Sequence, residues 1–108
     1  MKNDVYVIQD AEDDLLDIYK YIAVNDSIKN AERLLSELED TCHKLKTFPE
    51  REHIPPELER VGVSNYREIH NKPYRIIYQV IEKNVYVLLI VDGRRDMESL
   101  LQRRLLGA

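Results

Sequence analysis

Six arginines stand beyond residue 60: Arg67, Arg75, Arg94, Arg95, Arg103 and Arg104. Each guanidinium presents a planar fork that suits phosphate or carboxylate. Gathered at one end of a small sheet, such groups clamp a phosphodiester and stabilise the charge that develops as it is cleaved. A strand arginine also pairs with an acidic neighbour simply to cover the sheet, and Glu68 is such a neighbour for Arg75. The spacing leaves both readings open. In the run Tyr74-Arg75-Ile76-Ile77-Tyr78, Arg75 falls on the face opposite the two tyrosines, and Arg67 is placed to meet it across a hairpin. Arg94 and Arg95 leave the end of the neighbouring strand and are expected to be fixed there, whereas Arg103 and Arg104 lie towards a fraying terminus.

Other chemistry is sparse. There is no glycine-rich phosphate loop, no HExxH, and no serine in a nucleophile elbow. His43, His53 and His70 are not spaced as a metal set, so no metal and no cofactor is expected. His43 reads as a surface residue and His53 as a solvated loop residue, while His70 closes a strand beside Arg67 and stays a candidate for contact with a target. Glu12, Asp13 and Asp14 read as the N-terminal turn of a helix on a solvated face, where carboxylates complement the exposed amides. Cys42 falls in register with leucines, which makes it a small core residue rather than a nucleophile.

The chain's 108 residues fit one domain, 1–108, with a modest core. A single cysteine excludes an internal disulfide framework. No apolar run approaches the ~18 residues of a membrane span, and the N-terminus lacks the apolar stretch of a signal peptide. A soluble protein of the cytoplasm is expected, with no membrane partner. The net charge of −4 is unevenly spread: residues 1–60 carry 8 basic against 15 acidic side chains, and residues 61–108 carry 8 against 5. An acidic total argues against a general DNA or RNA binder.

The elements that must position these residues follow from periodicity. Val5-Tyr6-Val7-Ile8 reads as a first strand. A helix capped at Asp10 carries the stripe Ala11, Leu15, Ile18, Tyr19 and Ile22, ending near Val24. Asn25-Asp26-Ser27 breaks it and caps a second helix bearing Ala31, Leu34, Leu35, Leu38, Cys42 and Leu45, which Phe48-Pro49 ends. Residues 49–62 read as a connecting loop. A meander follows, with strands over 66–70, 74–81 and 85–91, and a tight turn at Lys83-Asn84. The last strand is apolar without alternation, as in a central strand buried on both faces. A final amphipathic segment carries Met97, Leu100, Leu101 and Leu105. The order β-α-α-β-β-β-(α) predicts an α+β domain with a helical hairpin on one face of an antiparallel meander.

These stretches, taken in order, resemble the RelE/ParE superfamily of bacterial type II toxin–antitoxin toxins over essentially the full length. The resemblance is carried by Ala11 to Ile18 with Tyr21-Ile22, Leu45 to Pro49, Tyr66-Arg67-Glu68-Ile69, Tyr74 to Val80, and Val91-Asp92-Gly93-Arg94-Arg95-Asp96 with Leu100-Leu101. It implies the same fold and a cognate antitoxin that wraps and neutralises the toxin, with toxin homodimers common inside such complexes. RelE-like members cut messenger RNA on the ribosome. On that branch Arg75 matches the arginine of the Tyr-Arg-x-x-Tyr strand and Arg95 the arginine after the last long strand, with Arg67 beside them. Tyr66 and Glu68 stand where RelE-like lysines belong, and Leu101 stands in place of a C-terminal tyrosine. ParE-like members instead inhibit DNA gyrase and are not nucleases. The Gly-Arg-Arg-Asp segment and the depleted ribonuclease set resemble this branch more, which makes Arg94, Arg95 and His70 the target-binding candidates. The alternatives are a RelE-like ribonuclease acting on ribosome and mRNA, or a non-toxic member that only binds its antitoxin. Met97, Leu100, Leu101 and Leu105 are expected to form the antitoxin-binding face, because a segment after the meander has little left to bury itself against.

Overall fold

The computed structural model describes residues 2–107. Its elements are β1 (Asp4–Val7), α1 (Gln9–Asn25), α2 (Ile28–His43), α3 (Pro56–Glu59), β2 (Arg67–Asn71), β3 (Tyr74–Ile81), β4 (Asn84–Asp92) and α4 (Met97–Leu105). No helix among them is long and apolar enough to cross a membrane. Helix α1 starts ahead of the expected cap at Asp10. Ile8 still donates its amide to Val87 O of the sheet (3.1 Å) while its own carbonyl accepts the Glu12 amide (3.0 Å), so strand passes directly into helix. Asp10 and Glu12 then lie in the first turn. Ser27 caps α2 as its residue type predicts, its Oγ accepting the Asn30 amide at 3.0 Å. Helix α2 ends at His43, and Leu45 reaches the core from a following 3-10 turn. Phe48, before Pro49, takes the left-handed conformation (φ 51).

The sheet order is β1-β4-β3-β2. β1 runs parallel to β4, with Val5 opposite Val85 and Val7 opposite Val87; β4-β3 and β3-β2 are antiparallel. β4 is thus interior, as its apolar run requires. Its missing alternation has a specific cause. Ile77 pairs with Leu89 and Tyr78 with Val87, so Leu88 is an extra residue and the facing parity changes there. Val85, Val87 and Ile90 join Ile76 and Tyr78 under α1 and α2, around Ala11, Leu15, Leu38 and Cys42. Leu89 and Val91 join Ile77 on the opposite face. The β3–β4 loop is Glu82-Lys83, one residue earlier than the sequence suggests, and Glu82 adopts φ 57 to make the turn.

Both faces of the sheet are covered, not one. Leu58 of α3 and Met97, Leu100 and Leu101 of α4 pack on Ile77, Leu89 and Val91. This corrects two expectations. The segment 49–62 is more than a connection, because Pro55-Pro56 opens a turn of helix, too short to show a period, that seats Leu58 at 2 % exposure. The face expected to await an antitoxin is also closed already: Met97, Leu100 and Leu101 are 5, 4 and 1 % exposed, and Leu105 is half-buried beside them. The second face of the meander is what they bury against.

Arg104 is held rather than frayed. It grips Asp14 through two hydrogen bonds (3.0 and 2.9 Å) and donates to Leu88 O at 3.3 Å. Asp14 also accepts the Ile90 amide at 3.0 Å. β1 stops pairing at Val87, so this pair satisfies the edge of β4 that β1 leaves bare. Asp14 is therefore not simply part of a solvated acidic turn.

Candidate functional site

Arg75 emerges from the second residue of β3 towards the α3 side. Its two terminal nitrogens donate to Glu57 at 2.8 and 2.7 Å, and its Nε donates to Glu68 at 2.6 Å. The guanidinium fork is filled by carboxylates. Arg75 is 12 % exposed, Glu57 14 % and Glu68 1 %. The Arg75 hydrogen bonds hold the Glu57 carboxyl below its usual range, and Glu57 and Glu68 in turn keep Arg75 protonated. Of the two readings open for a strand arginine, acidic pairing is the one the geometry realises.

Arg67 does not meet it. Arg67 stands opposite Tyr78 and Arg75 opposite His70, so the two arginines lie on opposite faces of the sheet. Arg67 donates to Glu52 O at 2.6 Å, in a recess that also holds Glu50 and Glu82. Tyr78, fully buried, donates its hydroxyl to Pro49 O, and burial pushes its ionisation up. Arg67, Arg75 and Arg95 are therefore not assembled on one surface.

Arg94 and Arg95 occupy the turn between β4 and α4. Asp92 ends β4 and takes Arg94 Nε at 2.9 Å and a terminal nitrogen at 2.6 Å, while accepting the Arg94 amide at 2.9 Å. That contact holds the Asp92 carboxyl below its usual range. Asp96 caps α4 by accepting the Ser99 amide at 3.2 Å. The turn is thus tied at both ends while Arg94 remains 77 % exposed. Arg95 is exposed and makes no side-chain hydrogen bond or ion pair among the described residues. Gly93, between Asp92 and Arg94, has a steric reason to be glycine. A Cβ there would lie 2.6 Å from Cδ of Arg75, whose head Glu57 and Glu68 hold in place. Beside the turn a cleft of ≈ 400 Å³ runs between α1 and the end of β4, lined in part by Asp17, Tyr21, Tyr74, Asp92, Arg94 and Arg95. Burial, with Asp92 adding, raises the Tyr74 phenol.

His70 joins a different group. It lies 3.3 Å from Glu68, whose other oxygen is 2.8 Å from Nε2 of His53, and the two imidazoles meet edge to face. Sequence spacing conceals this set, since 15 residues separate His53 from Glu68. Glu57 was hidden for the same reason. Cys42 is 3 % exposed, and burial, helped by Glu39, pushes its thiol up to about 11, which suits packing and not nucleophilic attack.

Comparison with known proteins agrees with this architecture. The model of the ParE toxin of the type II toxin–antitoxin system parDE matches residues 5–97. Toxin ParE3 of Caulobacter vibrioides is 26 % identical over 95 residues, covering 84 % of this chain and 87 % of that protein. A chromosomal ParDE system from P. aeruginosa superposes with a TM-score of 0.72 at 17 % identity, covering 84 % of this chain and 96 % of that one. A double arginine-to-alanine mutant of the E. coli toxin RelE in the free state gives 0.62 at 14 % identity, covering 97 % and 100 %. The RelBE2 complex of Mycobacterium tuberculosis gives 0.62 at 16 %, covering 85 % and 99 %. Fold and matches together define a small α+β toxin of the RelE/ParE superfamily. Within it, the chain belongs to the ParE toxin family of type II toxin–antitoxin systems.

Proposed function

We propose that this toxin inhibits DNA gyrase, in the ParE manner, and is neutralised by a cognate antitoxin protein. The observation that carries the reading is the contrast between its arginines. Arg75 is closed off by Glu57 and Glu68, while Arg94 and Arg95 project from a turn tied at both ends. Cleaving RNA calls for cations gathered and free on one surface. The cleft beside Arg94 and Arg95 instead mixes tyrosines, aliphatic side chains and carboxylates with the two cations, a composition that suits a protein surface better than a phosphate backbone. The paired, half-neutralised arginines then serve to recognise the target, and no bond is made or broken by the toxin itself. The antitoxin occludes this surface. Should it also use the Met97, Leu100, Leu101 and Leu105 face, it must first displace α4.

Pulse labelling after tightly controlled induction tests the reading. Thymidine incorporation should fall first, with leucine incorporation holding over the first minutes. Leucine falling first would overturn it in favour of ribosome-dependent cleavage. A folded protein that moved neither would be an antitoxin-binding relic.

A further inference from the structure

We propose that His53, Glu68 and His70 form a binding site for a divalent transition-metal ion of the zinc type. One ligand atom from each lies within 4.8 Å of the other two. In a tetrahedral zinc site with bonds of ~2.0–2.2 Å, neighbouring ligand atoms stand roughly 3.4 Å apart. The distances of 2.8 Å from His53 Nε2 to one Glu68 oxygen and 3.3 Å from His70 Nε2 to the other both lie just inside that value. An ion seated among the three groups would widen these contacts slightly.

The surroundings favour the site. Glu68 is 1 % exposed and is held from the interior by Arg75, the kind of outer contact that fixes a ligating carboxylate. Arg75 does not repel the ion outright, because Glu57 balances its charge. Two carboxylates and one guanidinium leave a single negative charge facing two imidazoles. The histidines are positioned by backbone. His70 is on β2, and His53 is stapled to that strand where the Glu68 amide donates to His53 O at 2.9 Å. Their side chains are 56 and 39 % exposed, so the ion enters from solvent and water completes its coordination. Two nitrogen donors and one oxygen select zinc-like ions over magnesium or calcium. The bound ion would pin the segment before α3 to the sheet. This inference does not depend on whether the toxin's target is gyrase.

The test uses the full-length, untagged chain, made by cell-free synthesis and stripped with a chelator. Titration with Zn²⁺ should show one saturable equivalent. Co²⁺ in its place should give the visible absorption of a low-coordinate, nitrogen-ligated ion. His53→Ala and His70→Ala should each weaken binding at least tenfold. His43→Ala, which alters the remaining histidine, should not. Saturable binding unchanged by both site variants would overturn the proposal, as would the absence of a Co²⁺ band from the intact protein. The Co²⁺ measurement needs no variant, so a misfolded substitution does not rescue the idea.

Discussion

Arg75→Ala separates a supporting arginine from a catalytic one. The substitution leaves Glu68 buried at 1 % exposure without the guanidinium that compensates it, and it frees Glu57 on α3. Breaking a buried ion pair by deleting one partner costs about 3–5 kcal/mol. With a urea m-value of about 1–2 kcal/mol/M, the unfolding midpoint should drop by roughly 2 M or more. Replacing the whole group, with Arg75→Met, Glu57→Leu and Glu68→Leu together, should recover most of that loss, because no buried charge is then left unpaired. The pH dependence has a definite sign. Arg75 holds Glu57 below its ordinary carboxylate value, so the pair's contribution is complete above an unfolded value of ~4.3 and disappears as acid protonates the folded carboxylate. The deficit of Glu57→Gln relative to the parent should therefore be full at neutral pH and vanish in strong acid. Urea melts followed by circular dichroism at several pH values read both quantities. A folded Arg75→Ala protein within 1 kcal/mol of the parent that had lost toxicity would refute the reasoning and make Arg75 a working residue of the site.

Three further outcomes are expected. At equal expression, Arg94→Ala with Arg95→Ala should abolish growth arrest while leaving the melting temperature unchanged, and Arg103→Ala should change neither. Arg104→Ala should lower stability by about 1–3 kcal/mol, since it strips charge-assisted hydrogen bonds from Asp14 at the β4 edge, and a denaturation curve will show it. Gly93→Ala should cost about 1–3 kcal/mol through collision with the Arg75 stem, and the penalty should shrink when measured in an Arg75→Ala background.

Much of the fold was legible because local pattern and tertiary packing agree. The stripes of α1 and α2, the Ser27 cap and the interior position of β4 all follow from residue type and period. What the sequence hid has physical reasons. The bulge at Leu88 moves β4 residues between faces without altering composition, so a run of seven apolar residues from Val85 to Val91 could not say which side chains faced α1 and which faced α4. Helix α3 is one turn long and has no period to detect. That omission mattered most, because Glu57 rides on α3 and decides the state of Arg75. Arg104 was misplaced because distance from the terminus says nothing of a partner 90 residues away. The exit of the chain from β4 at Asp92 to Asp96 was legible, since Asp92 with Arg94 and Asp96 with Ser99 pair near neighbours in sequence, but the seat of that turn on Arg75 was not.

The hidden contacts explain why the exposed site has the shape it does. Glu57 and Glu68 fix the Arg75 head, the Arg75 stem lies where any Cβ at position 93 would be, and the Gly93 amide donates to Pro73 O at 2.8 Å. The turn that presents Arg94 and Arg95 is therefore seated on Arg75 rather than on solvent. An arginine that looks like a catalytic candidate by sequence lies under the turn of Arg94 and Arg95, the two proposed here to recognise the target. On this geometry, loss of toxicity on mutating Arg75 would not by itself identify a nuclease. A drop in the affinity of target binding with unchanged behaviour of the bound complex would mark displacement of the turn. A defect confined to steps after binding would mark chemistry at Arg75.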